Sequence, residues 1–291
     1  MKRLRPFRAV PVRIREAVSG YAFLAPWIAG FLAFTMYPFF YSVFLSIHQV
    51  GLDPGHPQSV FVGLKWYREA LTVDTKFTIA LLETMKFVVL STPMIVVAAL
   101  LLALLLNREF IGRAFFRAVF FFPVIIISGP VVSKLLETDA AQVISPESFL
   151  IYDFVGTLPG VLSAPLIYIF DNITLILWFS GVQIILFLAG LQKIGKPLRE
   201  AAAIDGASAW QMLWKIYLPF LRPMILLNTV YTIVVLSNFA DNAVNRLITD
   251  SKQLTGKAFS YSAAMSWIYL LLIMATLLIA FALLRERKGR G

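Results

Sequence analysis

This sequence predicts an all-α, polytopic membrane protein with about six transmembrane helices, and three observations carry the expectation. The 291 residues are 59% hydrophobic and 14% charged, with a mean hydropathy of +0.79, whereas soluble domains are about half apolar and about a quarter charged. Apolar runs long enough for a bilayer core, about twenty residues each, recur along the chain. Short clusters of Lys and Arg flank these runs and alternate with acidic or uncharged connections, the pattern of cytoplasmic and external loops. The net charge of +10 therefore belongs to membrane flanks, and no nucleic acid is expected as a partner. The count of Cys 0 removes disulfides, thiolate metal sites and Cys nucleophiles without deciding the compartment.

Each element follows from these signals in turn. Residues 1–20 carry Lys2, Arg3, Arg5, Arg8, Arg13 and Arg15 against Glu16, so this N-terminal segment is expected in the cytoplasm. The next apolar run is too long for a signal-peptide core and lacks an obvious cleavage site, so residues 21–47 are read as a retained first span. His48 to about Leu82 mixes Gly, Pro, Asp and Lys and reads as an external loop, with a partly amphipathic stretch at Leu64–Leu71. The second span covers 85–106. Arg108, Arg113 and Arg117 place the short connection after it inside, and 118–136 forms the third span. Residues 137–171 hold five acids and no Lys or Arg, which puts them outside; Pro159 and Pro165 break their apolar part into short helices or a re-entrant element. The fourth span covers 172–191, followed by Lys193, Lys196, Arg199 and Lys215 as an inside signature. Spans at 221–238 and 263–284 complete the domain 21–284. The tail 285–291, with Arg285, Arg287, Lys288 and Arg290, returns to the cytoplasm.

One polar-punctuated stretch, 197–223, stands apart. Pro197 suits a first helical turn and Leu198 to Ile204 is rich in helix formers. Gly206 falls where a residue without a Cβ ends a helix cheaply in the left-handed conformation. Ser208 and Gln211 have capping-box spacing for a second helix, on which Trp210, Leu213, Trp214 and Tyr217 share a face. Periodicity alone favours an interfacial amphipathic pair at the membrane surface and names no partner. The residues themselves go further. Glu200, Ala201 and Ala202, then Asp205, Gly206 and Ala207, Gln211, Ile216, Leu218, Pro219 and Pro223 resemble the "EAA" loop of permease subunits in bacterial ABC importers, closest to the sugar-importer branch. The runs LLALLLNREFIGRAFFRAVFFFPVII and YAFLAPWIAGFLAFTMYPFFYSVFLSI are similar to the corresponding helices of the same branch.

The resemblance implies the type I importer permease fold, in which this loop is a coupling helix docked into a cleft of a separate ATPase. It implies a second permease subunit, most simply a heterodimer, together with two ATP-binding cassette subunits and an extracytoplasmic solute-binding protein. ATP and Mg would sit on the ATPase and no cofactor on this chain. The setting it implies is the bacterial cytoplasmic membrane, with a multi-pass chain and both termini inside. The residues agree with a non-enzymatic role. Gly195-Lys196 is followed by Pro197 where a phosphate-binding loop needs Ser or Thr, and no H-E-x-x-H, G-x-S-x-G or intramembrane carboxylate pair occurs.

Transport of an uncharged sugar needs hydrogen-bonding and stacking groups along a central path. Trp178, Ser180, Gln183, Asn228, Tyr231, Asn238, Asp241 and Asn242 are the candidates; a polar residue in a membrane helix also serves as a helix-to-helix contact. Tyr231 and Asn238 share one face at two-turn spacing. Lys134 reads as a snorkelling residue. A gradient-driven carrier or channel is the alternative function, expected to carry ionisable groups in its spans, which are nearly absent here. A membrane scaffold would have no use for an ATPase-docking loop.

Overall fold

The computed structural model describes residues 12–50, 59–108, 111–126, 155–239, 242–252 and 258–285. Elements are α1 (Val12–Phe31), a π-type turn at Leu32–Met36, α2 (Tyr37–Ile47), β1 (His48–Val50), β2 (Ser59–Phe61) and α3 (Lys65–Arg68), which continues through a π-type turn at Glu69–Val73. Then follow α4 (Thr75–Leu106), α5 (Arg113–Ile126), α6 (Gly160–Asp171), α7 (Ile173–Phe179), α8 (Gly181–Gln192), α9 (Lys196–Ile204) and α10 (Ala209–Met212). A π-type turn at Leu213–Tyr217 leads into α11 (Leu218–Ser237), and α12 (Ala243–Ser251) and α13 (Ala258–Leu284) close the order. Among the described residues, four helical stretches are long and apolar enough to cross a membrane: Gly20–Ile47, Thr75–Leu106, Ala209–Ser237 and Phe259–Leu284.

The chain divides into two compact units. One comprises residues 1–74 and 248–268. Here β1 and β2 pair antiparallel in the register His48↔Phe61, Gln49↔Val60 and Val50↔Ser59. Trp66 is buried beneath the hairpin and donates from Nε1 to the His48 carbonyl at 3.2 Å. Its ring meets Tyr261 edge-on at 6.1 Å, and the Tyr261 hydroxyl donates to Asp74 Oδ2 at 2.7 Å. Residues 48–50 and 59–74 thus form a hydrogen-bonded platform where the sequence reads as an external loop with one partly amphipathic stretch. Its order comes from Trp66 and Tyr261, aromatics with polar handles that find partners far away in sequence. By contrast, the apolar stretch of Gly20–Ile47 is exposed.

The other unit comprises residues 75–247 and 269–291, and its centre is α4 packed with α8 and α11. Lipid removes any hydrophobic drive between helices, so close contact depends on small residues and van der Waals packing. Ala99 and Ala103 on α4 are fully buried against Ile184, Phe187, Leu188, Leu191 and Leu221. A second apolar cluster unites Val88, Ile95, Ile176, Phe179, Ile233 and Leu236. Gly190 sets the α8–α11 approach: a Cβ there would lie 2.8 Å from Leu221 Cδ2 and 3.0 Å from Met224 Cγ.

Two boundaries differ from the sequence reading, and a third piece is one of the short helices it expects. Helix α4 begins at Thr75, where the reading starts the span at Met85; Lys76, Leu82 and Glu83 point outward from a helix that buries Phe77, Ala80 and Leu81, so average polarity hides an amphipathic turn. The fourth span is divided at Ser180, whose hydroxyl donates to the Leu177 carbonyl at 2.8 Å. The apolar piece after Pro159 is the helix Gly160–Asp171. Of the third span, residues 118–126 lie in α5; the remainder, with Lys134, lies outside the described residues.

Candidate functional site

The segment 197–223 builds itself from local chemistry. Pro197 lies in the first turn of α9, where its missing N–H costs nothing. Its last turn closes through the Gly206 N–H to the Ala203 carbonyl at 3.1 Å and the Ala207 N–H to the Ala202 carbonyl at 2.9 Å. That is a Schellman ending, and it needs the left-handed residue that Gly206 supplies at φ +74°. Ser208 then caps α10: its Oγ accepts from the Gln211 N–H at 3.3 Å, and Gln211 Oε1 accepts from the Ser208 N–H at 2.9 Å. The expected capping box is present in both directions.

With its turn and its second helix closed by their own hydrogen bonds, the segment turns large apolar groups outward. Ile204 is 87% exposed and Trp210 67%, and Trp210 meets the exposed Trp214 edge-on at 5.5 Å. Glu200, Ala201, Asp205, Gly206, Gln211 and Pro219 are exposed, with Ala202, Ala207, Ile216 and Leu218 half-buried. Ile216 and Tyr217 pack on the cluster that joins Ala103, Leu106, Leu191 and Leu221. The same short element therefore contacts the helix core on one side and presents an unpartnered face on the other.

Of the polar candidates in the spans, the structure brings Gln183 and Asn228 together. Gln183 Nε2 donates to Thr232 Oγ1 at 2.8 Å, Thr232 in turn to the Asn228 carbonyl at 2.7 Å, and Asn228 Nδ2 reaches the Gln183 carbonyl at 3.5 Å. All three are fully buried. Gln183 Oε1 and Asn228 Oδ1 are buried with no hydrogen bond among the described residues, so two acceptors lie unused there, where α8 meets α11. Ser180 is buried; Trp178 and Tyr231 are half-buried, and Trp178 Nε1 has no partner among the described residues. Asn238 is exposed at the end of α11, its Nδ2 on the Val234 carbonyl at 2.9 Å. Asp241 lies outside the described residues.

Asn242 has a structural task. Its Oδ1 caps α12 by accepting from the Asn245 N–H at 2.8 Å, and its Nδ2 donates to the Ser237 carbonyl at 2.8 Å. Asn242 also lines a 270 Å³ hollow with Glu83, Thr84, Phe87, Leu175 and Phe239, at the end of α11 remote from the segment 197–223. Thr84 is 3% exposed and its hydroxyl has no partner among the described residues. Sequence reasoning missed Glu83 and Thr84 because it began the second span after them. It missed Thr232 too, although Asn228 and Thr232 form an i,i+4 polar pair in an apolar helix, a legible signal.

No protein-family model matches the chain. Among curated proteins it is similar to the probable ABC transporter permease protein YesP of Bacillus subtilis, 30% identical over 298 residues that cover 97% of this chain and 93% of that protein. It is 30% identical over 308 residues to the arabinooligosaccharides transport system permease protein AraP of the same organism, covering 95% and 91%. The multiple sugar-binding transport system permease protein MsmF of Streptococcus mutans is 35% identical over 217 residues, covering 71% and 70%. Among solved structures, a chain of a bacterial alginate ABC transporter superposes with a TM-score of 0.67 at 20% identity, covering 96% of this chain and 98% of that one, a likeness of fold. By near full-length kinship at 30% identity, and with the fold to match, the chain belongs to the permease subunits of bacterial ABC importers, the branch that holds the sugar-importer permeases.

Proposed function

We propose that this chain forms half of the translocation path of an ATP-driven, binding-protein-dependent importer for a carbohydrate, and that the segment 197–223 couples it to the ATPase. The observation that carries the reading is the segment's architecture. A helix-turn-helix whose turn and second helix are closed by their own hydrogen bonds does not need exposed Ile204 and Trp210 to hold its shape; exposed apolar anchors on a rigid element are what a protein partner's cleft takes up. Glu200 would anchor the segment against a basic group of the ATPase, and Ala201, Ala202 and Ala207 would allow close approach. Motion of the segment would pass through Ile216 and Tyr217 to the packed ends of α4, α8 and α11.

A homologous second permease would supply the other half of the path, two ATPase subunits would carry ATP and Mg, and both termini would be cytoplasmic. The carbohydrate class follows from relatives named for arabinooligosaccharides, multiple sugars and lactose. Along the path, Tyr231 and Asn238 would offer a ring face and an amide, with Trp178, Ser180, Asp241 and Asn242 contributing nearby. The unpaired oxygens of Gln183 and Asn228 are acceptors that a sugar hydroxyl would use when α8 and α11 part. The test is co-expression with the neighbouring ATPase and permease genes, then ATP hydrolysis in nanodiscs with candidate binding proteins and sugars. A complex whose hydrolysis rises with a sugar-loaded binding protein supports the reading; a chain that purifies without any ATPase overturns it.

A further inference from the structure

A separate site lies between α5 and α8. A cavity of about 390 Å³ is lined by Arg117 and Ala118 on one side and by Gly181, Ile184, Ile185, Leu188, Ala189 and Gln192 on the other. Its walls are apolar except at Arg117 and Gln192. Arg117 Nε and Nη2, and Nε of Arg113 one turn earlier, are buried and make no hydrogen bond among the described residues. Two guanidiniums at i,i+4 spacing repel each other, and buried charged donors without acceptors are costly. An anion at this point would remove both penalties.

The position says which anion. The short connection from Leu106 leads into α5 at Arg113, and Leu106 packs with Leu191 and Ile194 at and just past the C-terminal end of α8, so the arginines lie toward the membrane boundary on the side of the segment 197–223. From there the cavity follows α8 from Gln192 back to Gly181, about 16 Å at 1.5 Å per residue, roughly one leaflet of a hydrocarbon core about 30 Å thick. We propose that this cavity binds an anionic phospholipid of that leaflet, its phosphate on Arg113 and Arg117 and one acyl chain along Ile184, Ile185 and Leu188. A soluble phosphate would use the charged end and leave the apolar wall empty, whereas basic pockets between membrane helices match anionic headgroups. The inference needs only that the chain lies in a bilayer, and it stands apart from the transport reading. Gly190 presses the other face of α8 against α11, so a lipid here would bear on the helix that leads into α9.

The experiment is native mass spectrometry of the full-length chain in mild detergent, supplied with equal amounts of phosphatidylglycerol and phosphatidylcholine. Phosphatidylglycerol should be retained preferentially, and its retention should fall about fivefold per arginine removed in Arg117→Gln and Arg113→Gln. Arg117→Lys should retain most of it, and Arg285→Gln, outside the site, all of it. Should the arginine variants fail to fold, Ile185→Trp, at a position 42% exposed, fills the groove while keeping both charges and should also release the lipid. Equal retention of the two lipids by the unmodified chain, or retention unchanged in both the arginine and the Ile185 variants, overturns the proposal. So does displacement of the lipid by inorganic phosphate, which would reveal a site for a soluble anion.

Discussion

Gly190 and Gly206 stand close together in sequence and answer opposite demands. At Gly190 the backbone is ordinary helix and the space is full, with Leu221 Cδ2 and Met224 Cγ at 2.8 and 3.0 Å from where a Cβ would stand. At Gly206 the space is empty, nothing lying within 4 Å, and the backbone is the constraint at φ +74°. The first glycine belongs to a packed helix interface, the second to an exposed turn that we propose as a docking surface. Hence the two regions should fail differently. Gly190→Leu forces α8 off α11 and should cost about 3 kcal/mol, seen as loss of the monodisperse peak in detergent size exclusion; elution like the unmodified chain would show that the helices can part freely.

Gly206→Leu sharpens the contrast. Left-handed backbone costs a residue with a Cβ about 1–2 kcal/mol, so the protein should still fold and elute normally. On the proposed coupling role, stimulated ATP hydrolysis of the assembled importer should nevertheless fall at least about tenfold, equivalent to roughly 1.4 kcal/mol, because the added bulk would meet the partner and not this chain. Gly206→Ala separates backbone from bulk. If alanine is as damaging as leucine, the left-handed turn itself is what coupling requires.

Legibility from sequence divides along the same line. The segment 197–223 could be read residue by residue because Pro197, Gly206, Ser208 and Gln211 act on backbone groups within five residues of themselves, and the structure places each as a helix start, end or cap. The core could be read only as apolar runs. That Gln183 meets Thr232, or that Tyr261 closes on Asp74, follows from tertiary packing with no local trace. Hydropathy also passes over amphipathic turns, so the start of α4 at Thr75, and with it Glu83 and Thr84, escaped notice. Arg113 and Arg117 were legible as an inside flank, but their unpaired nitrogens were not.

A smaller effect probes the polar pair within the core. Asn228→Leu removes a weak 3.5 Å bond and an unpaired oxygen together, so thermal stability in detergent should change by less than about 1 kcal/mol. Sugar uptake should drop while binding-protein-stimulated hydrolysis persists, the mark of a group that touches cargo. Thr232→Val is the control, since among the described residues its hydroxyl bonds to Gln183 and to the Asn228 carbonyl; uptake should survive it. Loss of uptake in both variants would instead identify the cluster as a contact that only holds α8 to α11.

The smallest expected effect is at Ser208. Alanine there deletes the acceptor for the Gln211 N–H but leaves Gln211 free to accept from residue 208, so half the capping box survives and the loss should be about 1 kcal/mol. Because α10 is exposed and carries little of the core, that loss is local: the midpoint of global unfolding should hardly move, while hydrogen exchange across Ala209–Met212 accelerates about fivefold. Coupling should weaken modestly, since Trp210 and Trp214 would be presented from a frayed helix instead of a fixed one. Ser208→Asp, which keeps an acceptor and adds a charge favourable at a helix N-terminus, should restore protection. If aspartate fails where serine succeeds, the serine hydroxyl contacts the partner directly, and the segment's docking face extends one residue further than its exposed aromatics indicate.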